Sequence, residues 1–564
     1  MLGGRYLKIG LILNLCTTLT LGHILNEDFH ETLDLRPLPD GRLLSAFSFT
    51  TLLKEAIPRD PETLGSEDET QHYTLFPLAL GQVLREYAVT ELHMSLNAGK
   101  WDYDRWGYPE DPGVGTGAEL WAYMGDSSAV SVDARWRGLR NALAGLFCAS
   151  LGSLDDQRTT SPSLTFRPEG SFPQWTSASN HQLRHATLPS ENVCTENLTP
   201  FLKLLPCKGL SGIASLLNPH RLFDSDWHGL SVHVRYLRDH GVEVRLNFQA
   251  VSDPVRYSVH GKRDWSLSSV FDRTIHSSCR VASSSMIRVA RPTEKTAVVS
   301  PEPPSKSEDY AIFDLSDTAT PLDISMQWQD ESKFIYPLAS SSSPLTPISV
   351  QRTLKGSIQS QGRLSVVITN HLPITIQTSY LETMPWLLQF YLHSLRTYHN
   401  GISRDDLVSI VSYTPPVPHL RPTLFQAVLT LPPKGTLHLS MDVMKPFLRY
   451  TEHPPDAERG WNLPPAVFVP LISNTTSSSK VASELNVADV DFRRLSRRIY
   501  TPVLLVDLAT PDFSMPYNVI IMSCTLIALI FGSVFNLLTR KFVVVRVNQD
   551  SKPATRSPVP ELKN

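Results

Sequence analysis

Side chains able to do chemistry gather at a few places along this sequence. His181 and His185 stand four apart, a spacing that would set two imidazoles on one helical face for a metal. No glutamate follows His181 as a zinc-protease helix requires, and the Ser-, Arg- and Asn-rich surroundings read as loop. A denser group, His220, Asp224, Asp226, His228 and His233, offers mixed imidazole and carboxylate ligands, yet equally suits a turn leading into a strand. Lys208-Gly209-Leu210-Ser211-Gly212 lacks the first glycine of G-x-S-x-G, so Ser211 has no support as a nucleophile. Gly113, Gly115 and Gly117 lie in an acidic, Pro-containing loop without the spacing of a nucleotide-binding turn. Cys194 follows two histidines, but in an oxidising compartment a disulfide is the commoner fate of a cysteine. No catalytic, cofactor or metal constellation emerges from these residues.

Other residues point to contact rather than catalysis. Trp101, Tyr103, Trp106, Tyr108 and Trp121 crowd a Gly-, Pro- and Asp-rich stretch. Such rings either pack a core edge or form a binding surface, so Trp101, Trp106, Tyr108 and Trp121 are candidate interface residues. A formal net charge of −3 gives no electrostatic reason to expect nucleic acid.

The elements that must carry these residues are mostly strands. Leu43, Phe47 and Phe49 mark a first strand, and Leu92, Met94 and Leu96 alternate in another. Leu80, Val83, Leu84 and Tyr87 recur at helical spacing after Pro77, as do Val132, Trp136, Leu139, Leu143 and Leu146 in 130–148. Residues 152–182 read as a long loop. From about 230 the chain turns β: Val232, Val234 and Tyr236 alternate, a turn comes next, and Val242, Val244, Leu246 and Phe248 complete a hairpin. Val366, Ile368, Ile374 and Ile376 are expected on one face, and a second hairpin is expected at Pro432-Pro433-Lys434-Gly435. With 43 prolines against 28 glycines, short strands and ordered loops fit better than a helical bundle. The expected class is mainly β with a short α/β N-terminal part and sandwich-like domains.

The two ends place this body at a membrane. Arg5 and Lys8, an apolar run to Leu21 and small Gly22 read as a secretory signal. Val519 to Leu538 contains no charged residue, is long enough to cross a bilayer, and is followed by Arg540 and Lys541. Together these features describe a single-pass type I chain. The expected divisions are a signal at 1–22, luminal domains at 23–290 and 346–515 around a Pro- and charge-rich linker at 291–345, a span at 517–538 and a cytosolic tail at 539–564. Small and polar residues in the span, including Ser523, Gly532 and Asn536, suit packing against partner helices. Four of the six cysteines are then luminal: Cys148, Cys194, Cys207 and Cys279. They allow up to two bridges, of a connectivity the sequence leaves open. Asn197 and Asn474 head glycosylation sequons, the first weakened by Pro200. On topology alone a cell-surface adhesion or receptor glycoprotein fits as well as any other luminal role.

LRPLPDG (35–41), HYTLFPLALGQVLREYAVTELHMSL (72–96), KWDYDRWGYP (100–109), GAELWAY (117–123), VCTENLTPFLKLLPC (193–207), DWSLSSVFDRT (264–274) and TPDFSMPYNV (510–519) break the tie. These blocks resemble the PIG-T family, a subunit of the GPI transamidase. The resemblance runs from about residue 30 to 545 and departs mainly in the loops at 152–186 and 290–345. It implies an endoplasmic reticulum complex that attaches a GPI lipid to proprotein C-termini. It also implies a non-catalytic scaffold that holds the caspase-like subunit PIG-K, with PIG-S, PIG-U and GPAA-type subunits alongside. In that family an intermolecular disulfide joins scaffold and catalytic subunit. By its place in VCTENLTP the cysteine carried over is Cys194, with Cys207 as its rival.

Overall fold

The computed structural model describes residues 26–545 except 68–72, 127–129, 176–179, 192, 293–296, 307–308, 317–320, 338–343, 357, 454–459, 472–495 and 510–513. The expected signal, the tail beyond 545 and Asn474 therefore lie outside the described residues. Two compact units result. One runs to Leu448 and resumes from His453 to Ala509; the other holds Arg449–Glu452 and the C-terminal helix.

The N-terminal half is built on one eleven-stranded sheet. Its centre comprises β1 (Glu27–Pro37), β2 (Leu43–Leu53), β3 (Val89–Ala98), β4 (Gly117–Gly125), β5 (Thr159–Thr160), β6 (His181–Leu188), β7 (Trp227–Leu237) and β8 (Gly241–Ser252). They lie in the order β1-β2-β8-β7-β3-β4-β6-β5, and Ser284–Ala290 pairs parallel to β1 at the other side. The expected hairpin is β7–β8, turning at 238–240.

Strand periodicity divides this sheet into two unlike faces. One carries Leu92, Met94 and Leu96 of β3, Leu120 and Met124 of β4, and Val232 and Leu246 of β7 and β8. Against it pack Leu80 and Leu84 of helix Leu78–Glu86, Trp136, Leu139 and Leu143 of helix Val132–Phe147, and Leu198 and Phe201 of helix Thr195–Leu204. The middle helix starts where the Ser131 hydroxyl accepts the amide of Ala134 at 3.2 Å. The opposite face presents Glu91, His93, Glu119, Trp121, Ser231, His233 and Asn247. All but His233 are buried outright, and its side chain is nearly so.

The region 291–345 is less of a linker than its composition predicts. Ala297–Ser300 pairs with Ser325–Trp328, and Ser305–Lys306 pairs with Tyr310–Asp314.

The C-terminal half is a two-sheet sandwich with its own core, including Val366, Ile368, Tyr380, Phe425, Leu439 and Phe468. Both connections expected to stay within one sheet instead cross between sheets. Strand Gln361–Asn370 lies in one and Ile376–Met384 in the other; Thr423–Leu431 lies in the second and Thr436–Met444 in the first. The turn at 432–435 is thus an arch rather than a hairpin. Both arches are held by Asn370, which is 1% exposed. Its amide nitrogen donates to the carbonyls of Ile374 at 2.7 Å, Pro432 at 2.9 Å and Leu431 at 3.3 Å, while its oxygen accepts from Leu372 at 2.9 Å.

The last described helix, Ser514–Thr539, contains the apolar stretch Tyr517–Thr539, long enough to cross a membrane. Because Asn370 satisfies buried backbone groups of both arches, Asn370→Ala is expected to destabilise the larger compact unit by about 2–3 kcal/mol. Thermal unfolding of the detergent-solubilised chain checks this; an unchanged midpoint contradicts it.

Candidate functional site

Among the described residues the four cysteines outside the apolar helix divide cleanly. Cys207 is bonded to Cys279, with Cα atoms 6.1 Å apart across 72 residues of sequence. This cross-link fastens the segment after helix Thr195–Leu204 to the approach of strand Ser284–Ala290. Cys148 and Cys194 are exposed and unbonded. Cys194 is the residue before helix Thr195–Leu204, and Cys148 comes directly after helix Val132–Phe147.

Asn197 ties these two ends together. Its oxygen accepts the amide of Cys194 at 2.8 Å, and its nitrogen donates to the carbonyls of Phe147 and Cys148, each at 3.0 Å. At 1% exposure this side chain is structural, which corrects the expectation of a glycan on Asn197. A glycan needs the same nitrogen free and outside.

The aromatic block also turns inward. Trp101, Trp106 and Trp121 are 4%, 7% and 2% exposed and join Leu381, Leu424, Val467 and Tyr500 in a third apolar cluster. Tyr108 is half-buried against the C-terminal core. The Trp106 indole donates to Asp40 at 3.0 Å, the Trp101 indole to the Gly107 carbonyl at 2.9 Å. The expectation of an external binding surface therefore fails for the three tryptophans. They are the seam between sheet and sandwich.

Beside this seam lies the densest ionisable cluster, whose members show in the sequence only as scattered histidines and acids. His93 and His233 face each other across β3 and β7, with their Nδ1 atoms 2.8 Å apart. His93 Nε2 meets Glu91 at 2.8 Å, and His233 Nε2 meets Asp111 at 2.7 Å. Glu91 also accepts the amides of Glu169 and Gly170. Both outer nitrogens thus face acceptors, and the inner contact needs a single proton. Three protons on four nitrogens give the pair one positive charge. Burial holds His93 below the ordinary histidine value of 6.5. Burial alone would raise Glu169, but the His93–His233 pair and Arg498 outweigh it and hold the carboxyl down to about 2. Arg498 reaches Glu169 at 3.0 Å and lies over the rings of Trp121 and Phe166.

Ser231 completes an apparent Ser-His-Asp set, but its geometry is wrong for nucleophilic catalysis. The Ser231 hydroxyl donates to Asp111, and the same His233 Nε2 faces both serine and aspartate. No separate base is aimed at the serine among the described residues. A cavity of about 300 Å³ opens above this cluster, rimmed by Arg235, Arg245 and Arg288.

The other histidines separate. His181 and His185 lie on strand β6, not a helix: His181 stacks on Phe172 and His185 bonds Glu119 at 3.0 Å. His228 and His233, an odd number of residues apart on β7, point to opposite faces. Asp224 pairs with Tyr257, and Asp226 with Arg42 and Arg256.

Five imidazoles titrate below their ordinary value: buried His93 and His228 and half-buried His181, His371 and His438, with His181 and His228 near 4. The unfolded chain then binds more protons than the folded one below pH 6.5, so stability falls as pH drops. The depressed Glu169 extends the loss from the ordinary carboxylate range toward its folded value of about 2. The unfolding midpoint is expected to be lower at about pH 5.5 than at pH 7.5, with His93→Gln showing a smaller difference. Equal midpoints at both pH values contradict this.

Known proteins match along nearly the whole chain. A family model described as "Gpi16 subunit, GPI transamidase component" matches residues 13–260 and 254–563. The human GPI-anchor transamidase component PIGT is 34% identical over 543 residues, spanning 92% of this chain and 91% of its own length. The PIG-T homolog of Schizosaccharomyces pombe is 34% identical over 545 residues, with shares of 95% and 93%. GPI16 of Saccharomyces cerevisiae is 30% identical over 570 residues, with shares of 92% and 89%. The chain belongs to the PIG-T family, the Gpi16 subunits of the GPI transamidase.

Proposed function

We propose that the chain is the non-catalytic scaffold of the endoplasmic reticulum GPI transamidase, holding the caspase-like subunit PIG-K through a disulfide from Cys194. PIG-S, PIG-U and GPAA-type subunits complete the assembly, and GPI lipid and proprotein reach the chain through it. One observation carries this reading. Cys207, the rival for the bond, is joined to Cys279, while Cys194 is exposed and unbonded.

Further support comes from the buried polar cluster. The Ser231, His233 and Asp111 group has its proton positions committed to one another, which suits a role in stability. The apolar stretch Tyr517–Thr539 suits a place beside multispanning partners. The basic residues after it favour a luminal position for the bulk of the chain. Family membership leaves the surface-adhesion reading without support.

The test is a non-reducing gel of the detergent-solubilised complex, probed for the caspase-like subunit, beside a Cys194→Ser form. A reducible heterodimer that vanishes in the variant is the expected result. A heterodimer that persists overturns the assignment of Cys194, and failure of the two chains to co-purify overturns the scaffold role.

A further inference from the structure

Cys148 plays no part in the proposed linkage, yet its placement is unusual in two independent ways. It is an exposed, unbonded thiol in a chain whose other internal pair is oxidised. It also occupies a left-handed backbone position, φ 52° and ψ 40°, at the end of helix Val132–Phe147. Glycine or asparagine normally takes that position, because a Cβ crowds the carbonyl after it. Among the described residues seven other non-glycine positions, Ala88 included, also have positive φ, so any role of Cys148 needs an explanation from its surroundings.

The surroundings supply one. The backbones of Cys148 and Cys194 are bound to opposite ends of the single side-chain amide of Asn197. Each residue sits at a helix end with its side chain exposed, one helix stopping where the other starts. A disulfide needs Cα atoms roughly 4.4–6.8 Å apart, and the two residues are joined through one intervening side-chain amide. Two accessible thiols so placed in an oxidising compartment are partners for exchange.

We infer that Cys148 is the resolving thiol for Cys194: its thiolate opens the interchain disulfide and closes a Cys148–Cys194 bridge within this chain. This rests on the proposed interchain bond. The step is redox-neutral. The Cys148 sulfur forms a bond to the Cys194 sulfur as the bond from Cys194 to the partner's sulfur breaks, and the partner leaves as a thiolate. Run backwards, a partner thiolate attacks Cys194 and frees Cys148, so the covalent link to the partner can form without a further oxidant. The linkage becomes reversible, set by the relative stability of two disulfides that share one sulfur.

The complex is isolated in detergent as the wild type, Cys148→Ser and Cys148→Gly, the last matching the left-handed backbone. Each is held without added thiol at about pH 8.5, where a free thiol is half ionised. Samples are quenched with N-ethylmaleimide over time, then run on non-reducing gels and mapped as unreduced peptides. The wild type is expected to lose interchain band by roughly threefold or more as a Cys148–Cys194 peptide appears, with both variants retaining the band. Equal loss in all three, or no such peptide from the wild type, overturns the inference.

A second arm separates this failure from that of the underlying reading. If the wild type shows no interchain band at time zero, the interchain bond is what fails. The full chain produced without its partner and treated with oxidised glutathione then decides on Cys148. A Cys148–Cys194 peptide supports the pairing; separate glutathione adducts on the two cysteines overturn it.

Discussion

The architecture depends on covering the charged face of the large sheet. Strand alternation gives β3, β4 and β7 one face that helices can bury as ordinary apolar surface, and another bearing Glu91, His93, Glu119 and His233. Isolated charges cannot be removed from water at tolerable cost, so each must meet a partner before the sandwich can close over it. Some partners come from far along the chain. Arg498 reaches Glu169, and the Tyr500 hydroxyl donates to Glu119 at 2.7 Å. The segment holding Arg498 and Tyr500 therefore completes an ion pair and a hydrogen bond with residues some 330 to 380 positions earlier, as the separations of 329 and 381 record. That long closure makes the two halves one compact unit despite their separate cores.

The thiol site lies on the other side of this arrangement. Its two helices pack on the apolar face, and the first is held further by Arg135 donating to the carbonyls of Tyr87 and Gly125 and by Asp133 pairing with Arg184. Asn197 then fixes the end of one helix against the start of the next, and the Cys207–Cys279 bond anchors the chain just beyond the second helix. Cys194 is consequently an exposed group on a braced element, a suitable condition for a covalent partner because little order is lost on linkage. The two faces divide the work: charge closure unites the chain internally, and the helical face presents chemistry outward.

Much of this is readable in the sequence where a period is long and unbroken. The β7–β8 alternation and the stripe Trp136, Leu139 and Leu143 each specify a local structure with one buried side, and both form as expected. The arches at 371–375 and 432–435 are not readable, since inward-facing residues alternate identically whether a turn returns to its own sheet or crosses to the facing one. Asn370 is a signal in principle, as a lone asparagine between apolar strands has to find acceptors. His181 and His185 share a face in a strand as they would in a helix, so spacing four cannot separate a metal pair from a stacking residue and an ion-pair residue. The sequon at Asn197 is a true pattern at a buried position, because its burial depends on a helix end distant in sequence. The aromatic block suits a core edge and a surface equally by composition. Only the tertiary contact with Leu381, Leu424 and Val467 decides for the core.

A cluster of histidine, serine and acidic residues beside a cavity invites an enzymatic interpretation, and proton accounting argues against it. A general base must have a lone pair free, and a general acid must have a proton whose loss leaves no buried partner unmet. In this cluster the inner nitrogens of His93 and His233 share one proton, and both outer nitrogens donate to carboxylates. Asp111 accepts from His233, Ser231 and Asn247 at one oxygen and from the amide of Gly113 at the other. Moving any proton breaks a buried hydrogen bond without making another. In such a network donors are already committed to buried acceptors, which suits a fastening between the sheet and the segments that cover it.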